Sequence, residues 1–237
     1  MAHTILFMWF GGPISATSIE SIKKWAEFLE KAQEKTREQL KIADWIDSEG
    51  STEQAIHATK ARLAQIHNVE IELRDISELR EAHPEMHRIM RYEIDKLNAN
   101  YSAASDVGRY TILEREAGMY LDTDVHPPEE VDSFIRAWKK TGVLITESAS
   151  QGSIISNSDL LIAPQAHLPV LERIVQYIPK NYRTHYVEPP DGEGPLRLMC
   201  EYQYFPAADI LFQTYLARDQ EIIYSPYARS VSTSHVF

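Results

Sequence analysis

Positions 5–10 read ILFMWF, apolar at every residue, so an extended chain there has to bury both of its faces. A strand of that kind belongs in the middle of a sheet that helices cover on either side. GGP at 11–13 ends the run. Ile19, Ile22, Ala26 and Leu29 then recur at helical spacing behind a capping box of Thr17 and Glu20. The alternation continues along the chain. KIADWI (41–46) predicts a second strand, and Ser51 with Gln54 predicts the cap of a helix whose apolar face is Ile56, Thr59, Leu63 and Ile66. VEIEL (69–73) alternates as a strand should, and Pro84 opens a helix where its missing N–H costs nothing. Residues 101–116 predict a helix stopped by Gly118, with MYLDT as the next strand. Helices near 129–140, 168–179 and 207–218 come later, with strands at 143–146, 160–163 and EIIY (221–224). The turn-rich stretch HYVEPPDGEGP (185–195) predicts a loop inside the domain. Strands alternating with helices specify an α/β fold with a largely parallel sheet, and ligands of such sheets bind beyond the strands' carboxyl ends.

Composition narrows the partners. The 237 residues suit one large domain, and 43% hydrophobic with 25% charged residues is the balance of a globular chain with a sizeable core. A formal charge of −11 repels phosphate backbones and anionic lipid, so nucleic acid and membrane surfaces are poor partners. The single Cys200 excludes an internal disulfide framework and fits a reducing compartment. MAHTILFMWFGGP reads as a first strand rather than a signal peptide, and no apolar run is long enough to span a bilayer, so no stable membrane insertion is expected. The nine His show no metal-ligand spacing and there is one Cys, so a zinc site is not expected; His83 and His87, four apart, read as an ordinary pair.

Three polar features fall at predicted strand ends: Trp9, the stretch from Asp44 to Asp47, and Asp122 with Asp124 in GMYLDTDVHPP (118–128). Residues i and i+2 of a strand point the same way, about 7 Å apart. Two carboxylates so placed repel unless a cation or hydrogen-bond donors stand between them, and hard oxygen ligands suit magnesium or manganese. Three readings of the pair are open on that basis: a solvated turn, a phosphatase nucleophile motif, or a metal site for a sugar nucleotide. Upstream, NYSAASDVGRY (100–110) puts Asp106 and Arg109 on one helix face among small residues. Small side chains there let a backbone or ligand come close, with Arg109 available for phosphate or to fix the acids.

The stretch AASDVGRYTILEREAGMYLDTDV (103–125) resembles the signature of GT-A glycosyltransferases, nearest to the catalytic domains of large clostridial glucosylating toxins and related bacterial effectors, with capsule-type sugar transferases more distant. FMWFGGPISATSIESIKKW (7–25) is similar to the toxins' first-strand region. The resemblance implies a GT-A-like α/β domain over 1–237, with a mostly parallel sheet, a nucleotide-binding half (1–125) and an acceptor and closing half (126–237). It implies that Trp9 stacks on uracil, that Asp106 and Arg109 hold the donor sugar and diphosphate, and that Asp122 contacts ribose and sugar. Asp124 would ligate manganese (or magnesium), with Ser232 and Ser234 of the C-terminal SVSTSHVF adding metal and donor contacts and Asn157 reaching the sugar. The implied activity is metal-dependent, retaining transfer of a hexose or N-acetylhexosamine from UDP-glucose, UDP-N-acetylglucosamine or another UDP-sugar. The hydroxyl acceptor would be a protein, such as a host small GTPase, or a glycan. The implied setting is the bacterial cytoplasm or, after secretion as an effector, a host cell. Departures are Ala117 where the family often has Gly, and a C-terminus that carries Phe237 but no Trp. The alternatives are a haloacid-dehalogenase-type phosphatase, in which Asp122 attacks phosphorus and Asp124 is the acid/base, and a non-catalytic UDP-sugar-binding relative.

Overall fold

Thr4–Trp9 forms β1, whose side chains alternate between two apolar layers. Ile5 and Phe7 face one layer, while Leu6 and Met8 face the other. The computed structural model describes residues 4–95, 99–132, 134, 143–150, 153–187, 197–198 and 222–224. After β1 come α1 (Ala16–Thr36), β2 (Lys41–Ile46), α2 (Glu53–Leu63), β3 (Glu70–Asp75), a 3-10 turn (Ile76–Leu79), α3 (Pro84–Asp95), α4 (Tyr101–Arg115) and β4 (Gly118–Leu121). They are followed by β5 (Val143–Ser150), β6 (Ser153–Ala163), α5 (Pro169–His185), β7 (Tyr186–Val187), β8 (Arg197–Leu198) and β9 (Ile222–Tyr224). Among the described residues, no helix is long and apolar enough to cross a membrane.

The main sheet has the order β3-β2-β1-β4-β6-β5-β9, and β7 pairs with β8 separately. The first four strands are mutually parallel, β6 runs antiparallel to both β4 and β5, and β9 is parallel to β5. The expected α/β arrangement with a mostly parallel, helix-flanked sheet is therefore present. The chain moves outward from β1 to β3 and returns to β4 on the other side of β1. Strand order reverses between β1 and β4, which is where open α/β sheets form a ligand crevice.

One face of the sheet is covered by α1, through Ile22, Trp25, Ala26, Phe28 and Leu29. The other is covered by α3, α4 and α5, through residues such as Met90, Val107 and Ile174. Caps fall one or two residues from expectation. Ser15 rather than Thr17 caps α1, accepting from the Ser18 N–H, and Thr52 rather than Ser51 caps α2, in the register that buries Ala55, Thr59 and Leu63. Helix α4 ends at Arg115 without a glycine, because Glu116 is already extended; Gly118 instead opens β4. A methyl group at Gly118 would sit 2.7 Å from the Thr4 carbonyl oxygen, so the small residue serves the approach of β4 to β1. The strands expected at 143–146 and 160–163 are longer and form a hairpin. Helix α5 continues past Pro179 to His185, since Ile174, Ile178 and Tyr182 bury one continuous stripe across it. In the expected 185–195 loop, Tyr186–Val187 is a strand and 188–195 lies outside the described residues. The expected helices at 207–218 and, beyond residue 134, at 129–140 also lie outside the described residues.

Candidate active site at the carboxyl ends of β1 and β4

The Asp-x-Asp segment leaves the sheet at its first aspartate. Strand β4 ends at Leu121, and the Val125 N–H donates to the Asp122 carbonyl at 3.0 Å, closing a turn over Thr123 and Asp124. The two aspartates therefore do not lie along one extended strand, as strand periodicity predicts. Asp122 takes the position after Leu121 on the face of Tyr120, while Asp124 stands exposed in the turn.

Helix α1 holds this turn from behind. The Trp25 indole N–H donates to the Val125 carbonyl at 2.8 Å, with the Ser21 hydroxyl on the same oxygen at 3.4 Å. The Ser18 hydroxyl donates to the Thr123 hydroxyl at 3.2 Å. Three side chains on successive turns of one buried helix face thus hold the Thr123 side chain between the aspartates and the backbone just after them.

Arg109 organises the other side. Its guanidinium reaches Asp106 and Asp122 at 3.1 Å each, donates from Nε to the Ser105 carbonyl at 3.2 Å, and stacks 4.6 Å over the ring of Tyr120. Its side chain is only 4% exposed, so it works inside the wall of the site. Burial alone would lower its pKa, but the charges of Asp122 and then Tyr120 and Asp106 outweigh that and keep it cationic. The Tyr120 phenol donates to Asp122 Oδ1 at 2.7 Å, and burial holds that phenol well above its ordinary pKa, so it stays a donor. Burial pushes the Asp122 carboxyl up to about 6 against the lowering pull of Arg109. Since 34% of the Asp122 side chain stays open, solvent tempers this rise.

The small residues of α4 serve packing. A methyl group at Gly108 would overlap the thioether of Met8 on β1 and crowd Met90 on α3, so the glycine seats α4 against the sheet and sets the height of Arg109. At the other end, Asn100 caps α4 by accepting from the Ala103 N–H at 3.1 Å. Gly11, at φ +84, lies against the ring of Tyr101, where no Cβ fits. Trp9 is half-buried at the end of β1, and its indole N–H donates to the Gly12 carbonyl at 3.1 Å. The loop after β1 is tied further by the Ile14 N–H to the Thr59 hydroxyl at 3.1 Å and by Arg62 to the Ile14 carbonyl.

The structure thus brings Asp106, Arg109, Asp122 and the turn carrying Asp124 together at the strand ends, with Trp9 closing β1 beside β4. Asn157 lies on β6, three residues before Leu160, the partner of Leu121. Because β6 is antiparallel to β4, its backbone there continues past β4's carboxyl end. Ser232 and Ser234 lie outside the described residues. The second strand's acids contribute differently from expectation. Asp44 is fully buried within β2, and Asp47 is buried in an ion pair with Arg91 at 2.5 Å. Sequence reading missed Tyr120, Ser18, Ser21 and Trp25. Tyr120 had a signal, since i and i+2 put it on the face of Asp122.

Residues 19–139 match the family described as "Glycosyltransferase sugar-binding region containing DXD motif". The chain belongs to this glycosyltransferase family. The matched segment includes most of α1, all of α4, the clamp that Arg109 forms on Asp106 and Asp122, and the Asp-x-Asp turn. This glycosyltransferase matches no curated protein sequence. Among solved structures it is similar to the PaToxG glycosyltransferase, with 18% identity, 92% of this chain and 72% of that one covered, and a TM-score of 0.57. It is also similar to the ligand-free glycosyltransferase domain from the YGT toxin (12% identity, 95% and 80% covered, TM-score 0.60). The UDP-bound form of that domain aligns at 13% identity over 77% of this chain and 62% of that one, with a TM-score of 0.51. At these identities the likeness is one of fold.

Proposed function

We propose that this glycosyltransferase uses a UDP-sugar donor and a divalent cation to transfer a hexose or N-acetylhexosamine, with retention, to a hydroxyl group of a protein or glycan. The clamp carries the reading. Three carboxylates, Asp106, Asp122 and Asp124, converge on one end of the sheet with one guanidinium between the first two. Their donors are hard oxygens, a set that fits manganese or magnesium. A cation bound there supplies Lewis-acid stabilisation of a departing diphosphate.

In this reading Asp124, exposed in its turn, offers the metal ligand, with Ser232 and Ser234 as partners from the C-terminal segment. Asp122, held by Tyr120 and Arg109, presents its remaining acceptor capacity to ribose and sugar. Arg109 positions Asp106 and Asp122, and so shapes the donor pocket from within its wall. Trp9 offers an indole face to uracil, with the ring fixed by its bond to Gly12. Asn157 approaches the sugar from β6. Residues 1–125 form the nucleotide-binding half, and 126–237 the acceptor and closing half. UDP bound in the YGT toxin domain supports the choice of leaving group. The resemblance of residues 103–125 to glucosylating toxins motivates a protein acceptor such as a host small GTPase, and an effector's setting. The phosphatase alternative is not taken up, because both the family match and the upstream clamp point to sugar transfer.

The test is a panel of UDP-sugars, with manganese, with magnesium and with neither, read as UDP release by the parent and by folded Asp124→Ala. Release from one donor that needs the cation and fails in the variant is expected. Parent-rate turnover by Asp124→Ala would refute the metal role. Phosphate release from phosphomonoesters without UDP release would refute the reading as a whole.

A further inference from the structure

At the far end of α4 from the clamp, three metal-ligating side chains, Glu114, His167 and Glu172, meet, with a further imidazole, His83, against Glu114. Glu114 lies eight residues beyond Asp106, about 12 Å along the helix axis. Its carboxylate is buried, with 8% of the side chain exposed, and its ion-pair partners are two imidazoles. His167 Nδ1 is 2.8 Å from Oε1, and His83 Nε2 is 3.0 Å from Oε2. The second contact is short, yet its angles are not those of a hydrogen bond, and Oε2 has no hydrogen-bond partner. His83 thus stands against the back of the carboxylate, outside the group that Glu114 forms with His167 and Glu172.

Glu172, in the first turn of α5, completes the group. One ligand atom from each of Glu114, His167 and Glu172 falls within 4.8 Å of the others. Zinc bonds of about 2.0–2.2 Å put tetrahedral ligand atoms about 3.3 Å apart. The contact of His167 with Glu114, at 2.8 Å, already approximates that edge, and Glu172 stands within 4.8 Å of both. The backbone is prepared as well. His167 adopts a left-handed φ of +55, and its N–H donates to the Glu114 carbonyl at 2.7 Å, which directs the ring at the carboxylate.

We propose that Glu114, His167 and Glu172 bind one zinc ion, with His83 behind Glu114 as its outer partner, and that the ion ties the end of α4 to the start of α5 at the pole opposite the Asp-x-Asp turn. An imidazole beside the carboxylates suits zinc better than the all-oxygen sets of the hard cations, and three protein ligands leave the fourth tetrahedral position to water. No sequence spacing announces it, because the ligands come from positions 114, 167 and 172 and their outer partner from position 83.

The test uses the full chain stripped with chelator, then dialysed against micromolar Zn2+ with bound metal counted. His167→Asn is the diagnostic variant: asparagine tolerates the left-handed backbone and can still donate to Glu114, but it is a poor zinc ligand. Asp124→Asn controls for metal bound at the other pole. One zinc per chain is expected in the parent and in Asp124→Asn, with a raised melting temperature. In His167→Asn affinity should fall by more than the roughly 10–100-fold that loss of an outer-shell partner costs. Absence of zinc from the parent, retention by His167→Asn, or loss in Asp124→Asn overturns the proposal. Cobalt substitution adds a spectroscopic check, since a tetrahedral site gives intense visible bands and a hydrogen-bonded brace gives none.

Discussion

Asp44→Asn should remove one large, separable part of the pH dependence of stability between about pH 4 and pH 7. Asp44 sits in β2 between Phe7 of β1 and Leu73 of β3, with no exposed surface and no hydrogen-bond partner on either carboxylate oxygen. Burial alone pushes its pKa up from 3.8 to about 7. The unfolded chain releases this proton near the ordinary carboxylate value, while the folded chain keeps it until neutrality. The folded state therefore binds more protons across that window, and stability is lost as the pH rises. Three units at about 1.4 kcal/mol each give a loss of about 4 kcal/mol, complete only above the folded pKa. Asparagine matches the neutral acid in shape and cannot ionise. The variant should equal the parent near pH 4 and exceed it by about 4 kcal/mol above neutrality. Urea unfolding midpoints across the range, with the denaturant slope unchanged, measure this directly. Parallel profiles for the two proteins would refute the argument, since they would mean that the folded Asp44 is already ionised at low pH.

Trp25→Phe keeps most of the ring's volume against Phe28, at 5.6 Å, but removes the donor to the Val125 carbonyl. A loss of about 1–2 kcal/mol in stability is expected, together with weaker manganese-dependent UDP binding by titration calorimetry; unchanged binding would show that the turn holds its shape without this anchor. Arg109→Lys keeps the charge and loses the fork that spans Asp106, Asp122 and the Ser105 carbonyl. It should cost about 2 kcal/mol, and UDP release per folded molecule should fall at least tenfold; parent-like turnover would separate the clamp from the chemistry.

The sheet was legible because each central strand carries an apolar run that no surface element could hide, and each helix an apolar stripe at its own period. The helix–strand unit of the site was legible for a related reason: Asp106, Arg109 and Asp122 lie in one short segment, so local geometry alone brings them near. Contacts from remote segments left no such trace. Trp25 reads as one more core residue of α1, and only the packed structure shows its N–H at the Val125 carbonyl, a hundred residues away. Asp44 misled because its position near a strand end suggested an open crevice, whereas the sheet's neighbours on both sides enclose it. Gly108 misled in the opposite sense, since room for a ligand and room for Met8 look alike in a sequence.

The division between the two aspartates stems from where the turn begins. Asp122 faces back toward α4, and the Arg109 guanidinium of that helix and the Tyr120 phenol of β4 occupy part of its acceptor capacity and set its orientation. Asp124 comes after the chain has left the sheet, and its side chain is exposed. Thr123 between them is tied to α1 from the opposite layer. The turn is therefore pinned from both faces of the sheet at once, by α4 through Asp122 and by α1 through Thr123 and Val125. A substitution that shifts either helix should move the two carboxylates relative to each other rather than together. That makes the packing residues Gly108 and Trp25 as consequential for the geometry of the proposed cation site as a ligand would be, although neither belongs to the proposed ligand set.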